Sequence, residues 1–475
     1  MLQLVCPVAS IGRVFAVVGT AVAVVGGGGA GVAAYRAAQS PAVPSASPSS
    51  SPMPTAVRSP ARSPFDLDAT PSAGPAAVPS GVARALAGPL AVPTLGARVD
   101  ATVADATSGA TLYDRGGAVA VVPASTAKLF TAAAALHALG AQRRLATRVL
   151  ATGPVESGVL RGDLVVVGGG DPTLAATGGT SYPRPASLAE LARRVRAAGV
   201  ARVTGGVVVD TSLFATPGLG PGWKPTYVSE GSVAPVTAFE VDGGRSVRAG
   251  SGRAARPDLA GGARLRDALR RAGVSLGNAV RTGSAPGGAT EVASVQSPTV
   301  AALVERMLTR SDNDLAEALA RHVALARGLR TDFAGAAAAV AATVRDLGLV
   351  APALVDACGL SPRNRVTPAQ LVALLALATR DATLAPLVQG LPVAGFTGTL
   401  ASRYAKGAAA RAAGWVRAKT GSLDNVATLA GIVETRSGRL LVFAFAADRL
   451  PTRFVGAAAK ALDVAAAALA ACGCG

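Results

Sequence analysis

Histidine is nearly missing from this 475-residue chain, which contains only His137 and His322. That shortage excludes a histidine-rich metal site and leaves a Ser-His-Asp triad two residues to draw on. Neither lies near a Gly-x-Ser-x-Gly elbow. His137 falls nine residues after Lys128, about half a turn round the same expected helix. His322 falls inside an amphipathic pattern, so both are expected to pack or face solvent. Lysine is almost as rare: Lys128, Lys224, Lys406, Lys419 and Lys460 are all there are. The net charge of +18 therefore rests on arginine. These arginines are spread along expected helices, as in LARRVRAAGV and LRDALRRAGV, without the clustering and aromatic interleaving of a nucleic-acid surface. Nucleic acid is not an expected partner, and the charge implies only weak attraction to anionic surfaces. Four cysteines make no disulfide framework. Cys6 and Cys358 stand apart, and Cys472 and Cys474, one residue from each other, are expected to fray at the tail; two thiols without histidine are a thin metal site. The glycine runs Gly26–Gly29 and Gly168–Gly170 lack phosphate-loop spacing. No metal or cofactor is expected.

The chain is too long for one core, so two or three domains are expected. Residues 14–34 carry no charge and are long enough to cross a bilayer, with Arg13 on the cytoplasmic side. They read as an anchor or a cleaved signal segment. A Pro/Ser tract follows that cannot bury enough apolar surface to fold. From Gly96 to Gly116, alternation about a Thr-Ser-Gly turn predicts an antiparallel hairpin. A helix opens at Ser125. GDLVVVGGGDPTL is a buried strand entering a turn, and residues 217–245 form a long Gly/Pro-rich loop. Two apolar helices flank the polar break Ser311-Asp312-Asn313. Near the end come strand, strand, an RSGR turn, strand, and a last helix from about Arg453 to Ala471.

A serine hydrolase without histidine needs another base, and lysine is the usual substitute once burial or nearby positive charge lowers its pKa. Lys128 follows Ser125 by three residues and shares its helix face. Ser311-Asp-Asn313 is the one Ser-x-Asn in the chain, and Lys419-Thr420-Gly421 the one Lys-Thr-Gly. Each alone has a plainer reading, as a cap serine, a helix N-cap or a strand end. The ordered set is the signature of penicillin-binding enzymes and related β-lactamases.

The chain resembles the low-molecular-mass class C penicillin-binding proteins, the serine-type D-alanyl-D-alanine carboxypeptidase/endopeptidase family. GDLVVVGGGDPTL, PGWKPTYVSEGSVAPVTAFEVDGGR and NRVTPAQLV are similar to family segments, and the likeness spans most of residues 96–470. One departure is Cys358 in DACGLS, where the family pattern implies serine, which raises a reactive thiol there as a minor option. The resemblance implies a multidomain α+β fold: a penicillin-binding/serine β-lactamase-like core, an antiparallel sheet flanked by helices, with an αβ domain inserted between the first and second motifs. The implied spans are 1–39 for the anchor or signal, 40–88 for the linker, 89–150 and 291–475 for the catalytic domain, and 151–290 for the insert. It implies catalytic roles for Ser125, Lys128, Ser311, Asn313 and Lys419, and substrate binding by Thr420, Gly421 and Ser422. The implied activity is trimming of peptidoglycan stem peptides ending in D-Ala-D-Ala, with possible cleavage of cross-links, outside the cytoplasmic membrane. β-Lactams are the implied covalent inhibitors. A β-lactamase and a catalytically silent wall-binding or sensory relative are the alternatives.

Overall fold

A computed structural model describes residues 77–179, 182–215, 218–246 and 252–474. The expected anchor and most of the expected linker lie outside these residues. Helix α1 (Pro79–Ala87) leads into the hairpin β1 (Asp100–Asp105) and β2 (Thr111–Arg115). A 3-10 turn over Ala124–Ala127 runs straight into α2 (Lys128–Leu139). Strands β3 (Ala146–Ala151), β4 (Val155–Glu156), β5 (Val159–Leu160) and β6 (Leu164–Val167) follow. Then come α3 (Leu188–Ala197), β7 (Arg202–Val203), β8 (Val207–Asp210), α4 (Pro257–Arg271), β9 (Val280–Thr282) and β10 (Thr290–Gln296). Helices α5 (Val300–Arg310), α6 (Asn313–Ala326), α7 (Phe333–Asp346), α8 (Pro368–Ala378) and α9 (Ala385–Gln389) come next. Strands β11 (Val416–Leu423), β12 (Val426–Glu434) and β13 (Leu440–Ala447) and helix α10 (Val455–Ala471) complete the described chain.

Strands from the early and late parts of the described chain build one antiparallel sheet, ordered β11-β12-β13-β1-β2. Both faces are covered, so β13 reads as an unbroken apolar run, LLVFAFAA, rather than an alternating one. Val442, Ala444 and Ala446 face a helical layer that includes α2, α5, α6, α7 and α8. Phe443 and Phe445 face the opposite layer, built from α1 and α10. Helix α2 runs through the middle of the first layer. Ten of its twelve residues are buried, and His137 is exposed as expected. Its alanines let neighbouring helices approach closely, which a run of leucines would prevent.

A second sheet, ordered β10-β3-β6-β8-β9, mixes antiparallel and parallel pairs and has its own core with α3 and α4. Its strands run from Ala146 to Gln296, so the expected boundaries at 150/151 and 290/291 cut across β3 and β10, which pair with each other. His322, on α6, is buried, and its Nε2 lies 3.1 Å from the Gly169 carbonyl.

Two expectations at the termini need correcting. The linker does not run to residue 88, because Pro79–Ala87 is helical and packs beside α10. Nor does the tail fray. Cys472 and Cys474 are joined as a disulfide, Cys474 is buried, and the Val78 N–H donates to its carbonyl at 2.7 Å. Gly81 permits this approach, since a Cβ there would meet Cys474 Cα at 2.9 Å. Thr452–Ala471 has the length and hydropathy of a membrane span, but α10 packs into the core against the sheet.

Candidate active site

Three segments far apart in sequence meet where the 3-10 turn, the α5–α6 break and the edge strand β11 come together. Ser125 lies in the turn, half-buried, one residue after Ala124, whose φ of 47° is in the left-handed region. That turn is fixed from below: the Thr126 and Thr428 hydroxyls donate to the Pro123 carbonyl at 2.7 and 2.9 Å. Strand β11 crosses so closely that only glycine fits at 421, where a Cβ would stand 2.1 Å from Thr428 Oγ1.

Lys128 is fully buried. Its Nζ lies 3.0 Å from Ser125 Oγ and 2.6 Å from both Asn313 Oδ1 and the Cys358 carbonyl. Burial pulls its pKa below the usual range, and the negative charges of Asp356, Asp312 and Glu317 oppose that pull. Asn313 is oriented in turn, its Nδ2 donating to the Ser232 carbonyl at 2.8 Å. The α5–α6 break exists because Ser311 takes φ 57°, ψ 39° and ends α5, while Asp312 caps α6 by accepting from Leu315 N–H.

Lys419 reaches Ser311 Oγ at 2.9 Å and the Thr420 carbonyl at 2.8 Å. It is also fully buried, and its pKa falls well below the usual range, first through desolvation and then through the charges of Lys128 and Arg403. Thr420 Oγ1 bonds Thr399 Oγ1 at 2.9 Å. Strand β11 is an edge, and Ala418 N–H donates outward to the Pro392 carbonyl at 3.0 Å. By the two-residue period, the N–H groups of Thr420 and Ser422 point to that same outer side. Ser422 is exposed there. The structure thus gathers two hydrogen-bonded sets at one place, Ser125 and Asn313 on Lys128 and Ser311 on Lys419, with Thr420, Gly421 and Ser422 following Lys419 on β11.

Reasoning from the sequence missed the support beneath this group. The loop after α7 presents the Cys358 carbonyl, and Glu317 Oε1 holds it by accepting from the N–H groups of Ala357 and Cys358 at 2.8 and 2.9 Å. Asp356 accepts from Trp223, Gly359, Ser361 and Asn364. No sequence signal marked Glu317, one acidic residue on an amphipathic helix. Glu317, Asp356 and Cys358 lie close enough together to suggest a cation site, yet their carboxylate oxygens are already committed to these donors and to Arg321. The reactive-thiol option at Cys358 fails too: the thiol is fully buried, and burial raises its pKa well above the usual value.

The model of the D-Ala-D-Ala carboxypeptidase 3 (S13) family matches residues 82–251 and 248–469. The chain belongs to that family. It is 41% identical over 384 residues to the carboxypeptidase DacB of Mycolicibacterium smegmatis, covering 78% of this chain and 80% of the relative. It is 38% identical over 382 residues to a carboxypeptidase of Mycobacterium tuberculosis, with the same coverage. Among solved structures, penicillin binding protein 4 of Haemophilus influenzae superposes with a TM-score of 0.64 at 23% identity, covering 78% of this chain and 92% of that one. The fold is therefore the penicillin-binding core expected from the motifs, and the S13 chain described here is a serine hydrolase of the D-Ala-D-Ala carboxypeptidase type.

Proposed function

We propose that Ser125 forms an acyl-enzyme with peptidoglycan stem peptides ending in D-Ala-D-Ala and releases the terminal D-alanine. The observation that carries this reading is the 3.0 Å contact of a buried, pKa-lowered Lys128 with Ser125 Oγ. Neutral Lys128 takes the hydroxyl proton as Oγ attacks the carbonyl carbon of the scissile peptide. The N–H groups of Ser125 and Ser422 donate to the oxyanion, each such contact contributing about 10²–10³ in rate. Ser311 passes a proton to the departing amine, and Asn313 orients the substrate amide. Lys419 and Thr420 bind the terminal carboxylate, and an anion arriving there draws Lys419 back toward its charged form. Gly421 and Ser422 form the strand edge along which the peptide lies. Water then hydrolyses the ester. The Haemophilus influenzae protein has been seen complexed with a β-lactam, and such compounds would acylate the same serine here. Residues 146–296 form the inserted domain in this reading. The enzyme works in the cell envelope, held at the membrane by residues 14–34.

Intact mass after incubation with benzylpenicillin tests this, with Ser125→Ala in parallel. A single stable adduct on the native chain, absent from the variant, is expected. No adduct with intact drug would leave a silent wall-binding relative; no adduct with destroyed drug would mean a β-lactamase. Comparing D-alanine release with cleavage of cross-linked dimers separates carboxypeptidase from endopeptidase action.

A further inference from the structure

An amine acting as a base keeps two hydrogens and one lone pair, so its direction of attack is set by whichever acceptors hold the hydrogens. Lys128 Nζ has three neighbours at hydrogen-bond distance, and the two closer ones, Asn313 Oδ1 and the Cys358 carbonyl, can only accept. With both N–H bonds directed at them, the remaining tetrahedral position faces Ser125 Oγ at 3.0 Å. The Cys358 carbonyl therefore helps to aim the base.

What aims that carbonyl is visible one bond further on. In a trans peptide, C=O and N–H point in opposite directions. The Cys358 C=O shares its peptide plane with the Gly359 N–H, which donates to Asp356 Oδ1 at 2.8 Å. Asp356 thus pulls on one side of the peptide whose other side meets Lys128. Asp356 is itself immobilised: its Oδ2 accepts from Trp223 Nε1 and Ser361 N–H, both at 2.6 Å, and its Oδ1 from Asn364 Nδ2 at 2.6 Å. Its side chain is buried, so a neutral replacement has no water to restore these bonds. Gly359 has φ 86°, and a Cβ on it would lie 1.9 Å from the Ala124 carbonyl, so the same peptide also packs against the residue before the nucleophile.

We propose that Asp356 is a positioning residue for Lys128: it pins the Cys358–Gly359 peptide so that the lysine lone pair points at Ser125. This rests on the acyl-enzyme reading above. The charged and titratable groups facing Lys128 are Asp312 at the start of α6, Glu317 within it, Asp356 and Cys358 on the loop, and Lys419 on β11. Replacing Asp356 by a neutral isostere both loosens the aim and removes one of the negative charges that favour the ammonium form.

The test is benzylpenicillin acylation of the full chain, measured as rate per titratable active site across pH, for Asp356→Asn. Acylation per site should fall roughly 10- to 100-fold, with the apparent binding constant within about twofold of native. The acid limb of the profile should move to lower pH. A lower fraction of active sites with a native rate per site and an unmoved limb would overturn the proposal, because that is what a merely structural carboxylate would do. If Asp356→Asn does not fold, Trp223→Phe removes the indole N–H from Oδ2, along with part of a buried ring that packs on Phe333, and leaves the carboxylate in place. It should slow acylation per site by a smaller factor, and an unchanged rate would again overturn the proposal. Failure of the acyl-enzyme reading itself would look different, since the native chain would then take up no benzylpenicillin.

Discussion

Lys419 Nζ and Ser311 Oγ lie 2.9 Å apart although they stand 108 positions apart in the sequence. The contact joins edge strand β11 to the left-handed residue between α5 and α6, and so fixes the distance between sheet and helical layer at the site. Two buried lysines in one small volume need either lowered pKa values or an anion, and before substrate arrives both are lowered.

Replacing Lys128 with alanine removes the base and leaves Asn313 and the Cys358 carbonyl without their donor. Acylation by benzylpenicillin should fall by about 10³-fold or more, while far-UV circular dichroism stays native. Normal acylation by this variant would sink the assignment of the base.

Because a base must be unprotonated to work, activity should rise with pH and level off above the pKa of Lys128. Burial holds that pKa below the ordinary lysine value of 10.5, so the midpoint of the rising limb should lie below it. A kcat/KM profile on a D-Ala-D-Ala peptide checks this; a midpoint at or above 10.5 would contradict it.

Gly359→Ala forces a Cβ to within 1.9 Å of the Ala124 carbonyl at a residue with φ 86°. We expect about 1–3 kcal/mol of destabilisation together with slowed acylation, because the Ser125 turn must shift. Thermal unfolding and acylation rate read the two effects, and a variant native in both would show that the turn has room.

His322 is held neutral by burial, its pKa lowered to about 4. A depressed base makes the folded state lose stability as pH falls from about 6.5 towards 4, by about 3 kcal/mol in all. Asp314 and Asp463, raised to about 7 and about 6, act in the opposite direction. Their contribution cancels when the native chain is compared with His322→Gln. Urea unfolding at pH 7 and pH 4.5 should show the native chain losing more stability than the variant between the two.

The sequence made the chemistry legible and the scaffolding only in part. Scarcity did much of the work: with five lysines and two histidines, Lys128 and Lys419 could hardly be accidental neighbours of Ser-x-x and Thr-Gly. Hairpin, helix break and terminal strands were readable because turn residues and apolar periods mark them locally. The limits of the second sheet were not, since β3 and β10 pair across well over a hundred residues and each looks like an ordinary strand. Glu317 escaped notice because its importance lies in backbone N–H groups of another segment, and Asp356 because one of its donors, Trp223, lies 133 positions away; sequence records neither pairing. The ordered tail was hidden for a similar reason, as Gly81 and Cys474 show their fit only when brought together.

That tail has a practical consequence. Val78 and Cys474 are hydrogen-bonded to each other in the α1/α10 layer, while α2, which follows the Ser125 turn, belongs to the layer on the other face of the sheet. A short peptide could therefore join Val78 to Cys474, and new termini could be opened at an exposed turn such as Gly287–Gly288. The resulting circular permutant would keep every residue of the Ser125 cluster on continuous chain, with the scar of its construction behind the sheet.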